Sequence, residues 1–463
     1  MDLLNIRWIR NLLGSRWFPI LPQSLLLGVF FLIIAGGAGI ETDDAAFAKV
    51  LRNTNLANLL VWSYWWPLIL VSTILLGRVW CMVCPLELVS SITAKVGLRR
   101  QVPDMLKSRW VITIFYAVIL VVGMYGFGIH RVPNRMAIYM LVLFGAALLT
   151  SFIFEKRAFC SYVCPIAHLL GLYSCLSLLE WRAKDLSVCT ACNTKDCIAK
   201  GNHYKIISRS CTSNLYPAKI NDNRDCLLCT QCLKVCPNNN LRFSVRRLFA
   251  DFFGGIELRT AEVGFLLAVG AFVIYDILPE WPVTGKILMW LPKTIAGGFT
   301  TTAIKSNLLE GTVLFIVLPV LLFLVVTVSA KSFSKESFGS IAKGFGLLLL
   351  PTVAIIHSVK GVFKMVSRIP YVQYALSEPK GVEAAKGIYA KVITVDTSVL
   401  KTLEPITNYI WAVAALSVLV VTVLILLRSA AMEKYNTGVK AVLFSGVLFY
   451  WGILALAVVM WRF

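Results

Sequence analysis

Asp225-Cys226-Leu227-Leu228-Cys229-Thr230-Gln231-Cys232-Leu233-Lys234-Val235-Cys236-Pro237 places four cysteines within eleven residues. Its cysteines run C-x2-C-x2-C-x3-C-P, and four more precede them as Cys189-x2-Cys192-x4-Cys197 and Cys211. Residues 180–250 therefore hold eight cysteines among scattered Lys, Arg, Asp and Asn, with no segment able to span a bilayer. On both sides the composition reverses. The 463-residue chain is 58% hydrophobic and only 15% charged, with a mean hydropathy of +0.76, against about 25% charged for an ordinary soluble domain. These figures exclude a soluble multidomain protein. Abundant aromatic and branched residues exclude disorder, and a chain this long and apolar is not a disulfide-stapled secreted scaffold.

A bilayer core requires about 20 mostly apolar residues per helix. Nine segments qualify: 24–40, 59–76, 110–128, 137–154, 260–278, 311–330, 341–357, 408–427 and 440–461. Residues 45–58 and 281–310 are too broken or polar to span. The expected fold is an all-α polytopic membrane protein with about nine transmembrane helices and an inserted ferredoxin-like domain. Its domains would be 1–180 (four helices), 181–245 (the cysteine-rich insertion) and 246–463 (about five helices). Arg7, Arg10 and Arg16 precede the first apolar run, but Trp8 and Trp17 make the N-terminal region read as an anchored, uncleaved helix rather than a signal peptide. With the N-terminus in the cytoplasm, thirty of the 45 Lys and Arg residues fall in cytoplasmic segments, and the acidic loop Glu41-Thr42-Asp43-Asp44 falls outside. The net charge of +21 then reads as orientation in the cell inner (cytoplasmic) membrane, with the insertion inside, and not as a nucleic-acid footprint. The segment 358–407 departs from the rule, with seven basic residues on the external side.

The run ending in Cys236-Pro237 has the bacterial ferredoxin spacing, in which the fourth cysteine ligates the other cluster. A tight turn aims three sulfurs at one cube, and the proline directs the chain to a second. That crossover assigns Cys226, Cys229, Cys232 and Cys211 to one [4Fe–4S] cluster and Cys189, Cys192, Cys197 and Cys236 to another. All eight cysteines are consumed, although Cys211 is followed by Thr and the first run is stretched. The alternative is a pair of structural zinc sites, for which C-x2-C spacings are also typical. A reducing cytoplasm disfavours disulfides.

Two further motifs sit at the cytoplasmic ends of helices: Gly77-Arg78-Val-Trp80-Cys81-Met-Val-Cys84-Pro85-Leu86 and Lys156-Arg157-Ala-Phe159-Cys160-Ser-Tyr-Val-Cys164-Pro165-Ile166. Each follows a pair of helices and carries a basic residue, an aromatic, two cysteines and a proline in that order, an internal repeat. The four thiols have three readings: a third iron–sulfur centre, with Arg78, Lys156 and Arg157 offsetting its charge; a redox-active dithiol pair or copper site; or small apolar residues in helices. Cys175 lies in an apolar helix without a partner motif and reads as inert.

The repeated Cys-Pro motifs followed by a double ferredoxin segment resemble the NapH/NosR/CcoG group of membrane-bound 4Fe-4S polyferredoxins, over residues 60–245. Cys160 to Pro165 matches that family's C-x3-C-P, and Cys81 to Pro85 is one residue shorter. The resemblance implies electron transfer between a quinone pool, or a cytoplasmic donor, and a reductase, or a part in metalloenzyme maturation. The C-terminal half lies outside that shared core.

Four histidines are present. His130 and His357 lie near the external ends of helices three and seven, where a b-type haem is conceivable but disfavoured, and no C-x-x-C-H exists for a c-type haem. His168 could bond a cluster sulfur or a quinone, or simply pack. Glu87, beside the first motif, is a candidate for proton handling at a quinone, or a carboxylate paired with Arg78 or Arg99. Glu262 lies near the apolar boundary of the fifth helix. Residues 245–259 alternate basic and aromatic groups and read as an amphipathic helix on the inner leaflet. Segments 276–310 and 358–407 are long enough to dock an external partner. No Walker A, G-x-G-x-x-G or hydrolase signature is present. The chain reads as an electron-transfer subunit of a membrane redox complex, exchanging electrons with other subunits, a soluble donor or acceptor and a quinone. The alternative is a redox maturation or regulatory factor.

Overall fold

The computed structural model describes residues 1–211, 213–299 and 302–462. Eight helices are long and apolar enough to cross a membrane: Ile20–Gly37, Leu56–Leu76, Pro133–Ile153, Thr260–Glu280, Lys305–Lys331, Phe338–Ser377, Ser398–Arg428 and Thr437–Arg462. They fall on eight of the nine expected segments, and the protein is a multi-pass membrane protein. The ninth segment, 110–128, is also helical but shorter, over Trp110–Gly126. Its ends explain the difference. Arg109 adopts a left-handed φ of 65° before it and Gly128 one of 59° after it, and its last two turns are π-helical over Ile119–Gly126.

Two expectations are corrected, and a third is refined. The basic segment 358–407 is not a loop: the helix Phe338–Ser367 runs past 357, and Val372–Ser377, Val382–Tyr389 and the start of Ser398–Arg428 follow. Lys360 and Lys364 depress the hydropathy there without breaking the helical repeat. Residues 281–310, read as non-spanning, are helical over Pro282–Phe299 and Ala303–Thr312, but only the second of these runs into a span, Lys305–Lys331. The amphipathic helix over 245–259 is absent. Only Ala250–Phe253 is helical, with Asp251 and Phe252 buried. Arg246 is drawn into a fork–fork pair with Asp251, its Nη2 donating to Oδ2 at 3.1 Å, so its charge is satisfied by the protein and not by a lipid surface.

The chain packs as two units that cut across sequence order. The first holds Met1–Leu32, Val71–Ile112 and Met140–Gly254, and the second Ile33–Leu70, Thr113–Tyr139 and Gly255–Phe463. In the first, Leu179–Ala183 and Leu241–Val245 pair antiparallel, with Leu179 opposite Val245, and so bracket the cysteine-rich insertion. Asp2 bridges to Ser244 at the sheet edge. Leu4, Leu13, Trp181, Leu228 and Leu241 form a small core beneath the insertion. In the second unit, Thr260–Glu280 and Phe338–Ser377 are central, with 67% and 72% of their apolar windows buried. By contrast, only 17% of the Ile20–Gly37 window is covered by protein, which leaves that helix mostly to lipid.

Candidate iron–sulfur sites

The two Cys-Pro motifs fold alike. Gly77 and Lys156 are both left-handed, at φ 77° and 60°. Each turns the chain out of a span into an arginine, Arg78 or Arg157, that begins a five-residue helix, Val79–Val83 or Ala158–Tyr162. Cys81 and Cys160 occupy the third position of those helices. Cys84 and Cys164 are the N-caps of the next, which start at Pro85 and Pro165, where a missing N–H costs nothing. The repeat thus extends to backbone geometry.

The four thiols lie within one another's electrostatic reach. Burial pushes the Cys84 thiol well up, and Cys160, Cys81 and Cys164 push it further. Burial likewise raises Cys164 to about 12, with Cys160 and Cys81 adding to it. Arg78 Nη2 lies 3.6 Å from Cys81 Sγ, and Arg157 Nη2 lies 3.9 Å from Cys160 Sγ. The Ala167 N–H donates to Cys164 Sγ at 3.4 Å. Buried thiols surrounded by cations and N–H donors suit anionic sulfur, which ligation creates by exchanging a thiol proton for metal.

Glu87 anchors this arrangement. It is 1% exposed, forms an ion pair with Arg157, whose Nε lies 3.2 Å from Oε1, and accepts hydrogen bonds from Arg209 Nη2 in a short contact, from Ser91 Oγ at 2.8 Å and from the Gln23 amide. Gln23 also donates to the Met82 carbonyl at 2.9 Å, and Arg209 Nη1 to Ser91 Oγ at 2.6 Å. Burial alone would raise the carboxyl, but Arg157 and Arg209 outweigh it and hold Glu87 at about 2. The expected pairing with Arg78 or Arg99 gives way to an ionic lock with Arg157 and Arg209. It joins the first span, both repeats and the insertion. Nothing local in the sequence marked Arg209 or Gln23 as its partners.

Within the insertion, Cys226, Cys229 and Cys232 lie on a turn made by left-handed Leu228 and Thr230, at φ 54° and 60°. Burial raises Cys232, followed by the influence of Cys229, Cys226 and Cys211. It raises Cys197 to about 11, followed by Cys236, Cys189 and Cys192. Two sets of four are thus placed together. Trp181 Nε1 donates to Cys232 Sγ at 3.0 Å and Asn240 Nδ2 to Cys189 Sγ at 3.2 Å, N–H···S contacts of the kind that tune cluster potentials. Among the described residues no three Cys, His, Asp or Glu side chains converge closely enough for a single metal ion. Arg157 also feels Cys229 beside Cys160 and Cys81, and Arg78, whose Nη1 donates to the Arg224 carbonyl at 2.7 Å, lies in the field of Cys226.

The 4Fe-4S binding domain family Fer4_5 matches residues 58–103 and residues 136–182. The chain carries a 4Fe-4S binding domain. The two matches are the two repeats, and between them they contain Cys81, Cys84, Cys160 and Cys164, whereas the insertion's cysteines follow the second match. Two uncharacterised proteins of Methanocaldococcus jannaschii are also similar. MJ0749 is 26% identical over 183 residues, 38% of this chain and 68% of the relative. MJ0750 is 24% identical over 195 residues, 38% of this chain and 76% of the relative. No solved structure matches.

Of the remaining candidates, His168 stays beside the second Cys-Pro motif, its backbone N–H donating to the Cys164 carbonyl at 3.3 Å. His168 is buried on the helix Pro165–Tyr173. Cys175 is buried, with Sγ 3.8 Å from the Gly171 carbonyl. Glu262 closes a capping box with Arg259 at the start of Thr260–Ile277, a helix-starting role. In the second unit, Arg131 Nε donates to His130 Nε2 at 3.1 Å, and His357 packs between the rings of Trp66 and Phe272.

Proposed function

We propose that the protein is an integral membrane electron-transfer subunit of the NapH/NosR/CcoG type, holding three [4Fe–4S] clusters. What supports this reading is that twelve cysteines fall into three sets of four whose members feel one another's charge, one set lying within the matched 4Fe-4S domain. Cys189, Cys192, Cys197 and Cys236 would hold one cluster; Cys211, Cys226, Cys229 and Cys232 a second; Cys81, Cys84, Cys160 and Cys164 the third. A bound cluster takes up and releases single electrons without bonding a substrate. The chain's own residues do the rest. Arg78 and Arg157 place positive charge beside the membrane-edge thiolates and towards Cys226 and Cys229, favouring the reduced state on both sides of that boundary. Trp181, Asn240 and the Ala167 amide donate to sulfur, and Glu87 fixes Arg157 in place.

Electrons pass from a cytoplasmic donor or acceptor, through the insertion, to the membrane-edge set, and from there to a quinone or a partner subunit in the inner membrane. The test is anaerobic redox titration of the purified full chain in nanodiscs. The reading requires that clusters reduced by dithionite be reoxidised by a short-chain quinone or by a co-purifying oxidoreductase. If neither reoxidises them and the protein purifies alone, the maturation-factor alternative takes its place.

A further inference from the structure

The second unit contains a cavity of about 610 Å³ with no cysteine in its lining. Six cationic side chains line it (Arg52, Arg131, Lys293, Lys360, Lys364 and Arg368) against two carboxylates, Asp276 and Glu280. Lys360 is paired with Glu280. Asp276 feels Lys360, Lys364 and Arg52, and Glu280 also acts on Arg52 and Arg368, so two carboxylates are shared among six cations. Lys360, Lys364 and Arg368 follow one another at four-residue intervals at the end of the helix Phe338–Ser367, so they share one face. Arg52 comes from the helix Ala45–Thr54 and Arg131 from the turn before Pro133.

This concentration of charge is unfavourable by itself. Buried like charges cost free energy unless an opposite charge joins them. Burial, then Arg368 and Arg131, bring Arg52 down to about 10. Arg52 Nε, Arg368 Nε and His130 Nδ1 are buried, with no hydrogen-bond partner among the described residues. These are donor groups awaiting acceptors. The volume lies within the roughly 300–1,000 Å³ of small-molecule sites, far more than a monatomic ion needs. Phe363, Trp461 and Met289 supply an apolar wall. Guanidinium forks match the oxygens of phosphate, and a phosphoryl group's charge of about −1.5 to −2 answers the surplus better than a single carboxylate.

We propose that this cavity binds a phosphate-bearing organic anion, gripped by Arg52, Arg131, Lys364 and Arg368. The phosphate could be presented by an anionic phospholipid head group or by a soluble phosphoester, and the same chemistry serves both. The test uses the purified full chain in phosphate-free maltoside detergent, with glycerol phosphate as the soluble probe and phosphatidic acid as the lipid probe, both phosphomonoesters. Calorimetric binding and the thermal midpoint are read for wild type, Lys364→Gln and Arg368→Gln. The expected result is saturable binding of one probe, with a raised midpoint, weakened about tenfold or more in each variant. Which probe binds assigns the source. Without either probe, both variants should melt no lower than wild type, because each relieves repulsion, and this separates loss of binding from loss of fold. Absence of saturable binding by both probes, or variants that bind as wild type does, overturns the proposal.

Discussion

Replacing Glu87 by Gln removes one charge from a buried site and strands two. Glu87 and Arg157 side chains are 2% and 1% exposed, and Arg209 is 5% exposed, so solvent screens none of the three appreciably. The carboxyl sits at about 2 against an ordinary 4.5, and at 1.36 kcal/mol per tenfold change that gap corresponds to about 3 kcal/mol. Breaking a buried ion pair by removing one partner costs about 3–5 kcal/mol, in agreement. Because the folded-state value is depressed, this stability is fully present above pH 4.5 and is lost as pH falls from there towards 2. Thermal unfolding of the full chain, followed by circular dichroism at pH 7, should fall by about 6–12 °C in Glu87→Gln, taking about 2–4 °C per kcal/mol for a unit of this size. The double variant Glu87→Gln/Arg209→Gln should cost less than the two single changes combined, since each removes the other's unpaired partner. A Glu87→Gln midpoint within about 2 °C of wild type would refute the ionic lock.

Other outcomes follow from the same geometry. Cys81→Ser or Cys160→Ser should lower iron from about twelve to about eight atoms per chain, whereas Cys175→Ser should leave it unchanged, as metal analysis would read directly. Arg78→Gln withdraws positive charge 3.6 Å from Cys81 Sγ and should lower the membrane-edge midpoint potential by on the order of 60 mV, a tenfold change in a one-electron equilibrium. An EPR-monitored titration with no shift would contradict it. Gly381→Ala should destabilise the fold by more than about 2 kcal/mol in a thermal melt. Gly381 has φ 69°, and a Cβ there would lie 2.2 Å from the Thr54 carbonyl carbon.

What could be read from the chain depended on the range of the interaction concerned. Membrane spans are visible because a bilayer demands an unbroken apolar run, and eight such runs became eight helices. Cysteine spacing is visible because a polynuclear site constrains residues two or three apart. The Glu87 lock was not, since Arg157 and Arg209 lie 70 and 122 residues away along the chain. Hydropathy misled at Lys360 and Lys364: the charges lowered the local average, yet the helix continues and turns them, with Arg368, into a cavity. Basic and aromatic residues from 245 to 259 looked amphipathic because composition does not record that Arg246 has Asp251 five residues on. Left-handed Leu228 and Thr230, ordinary residues in an unusual conformation, carried no local signal either.

The most direct measurement is the iron, zinc and acid-labile sulfide content of the anaerobically purified full chain. Three clusters predict about twelve irons and about twelve sulfides per chain. About eight of each would remove the membrane-edge centre, and zinc in place of iron would contradict the account as a whole.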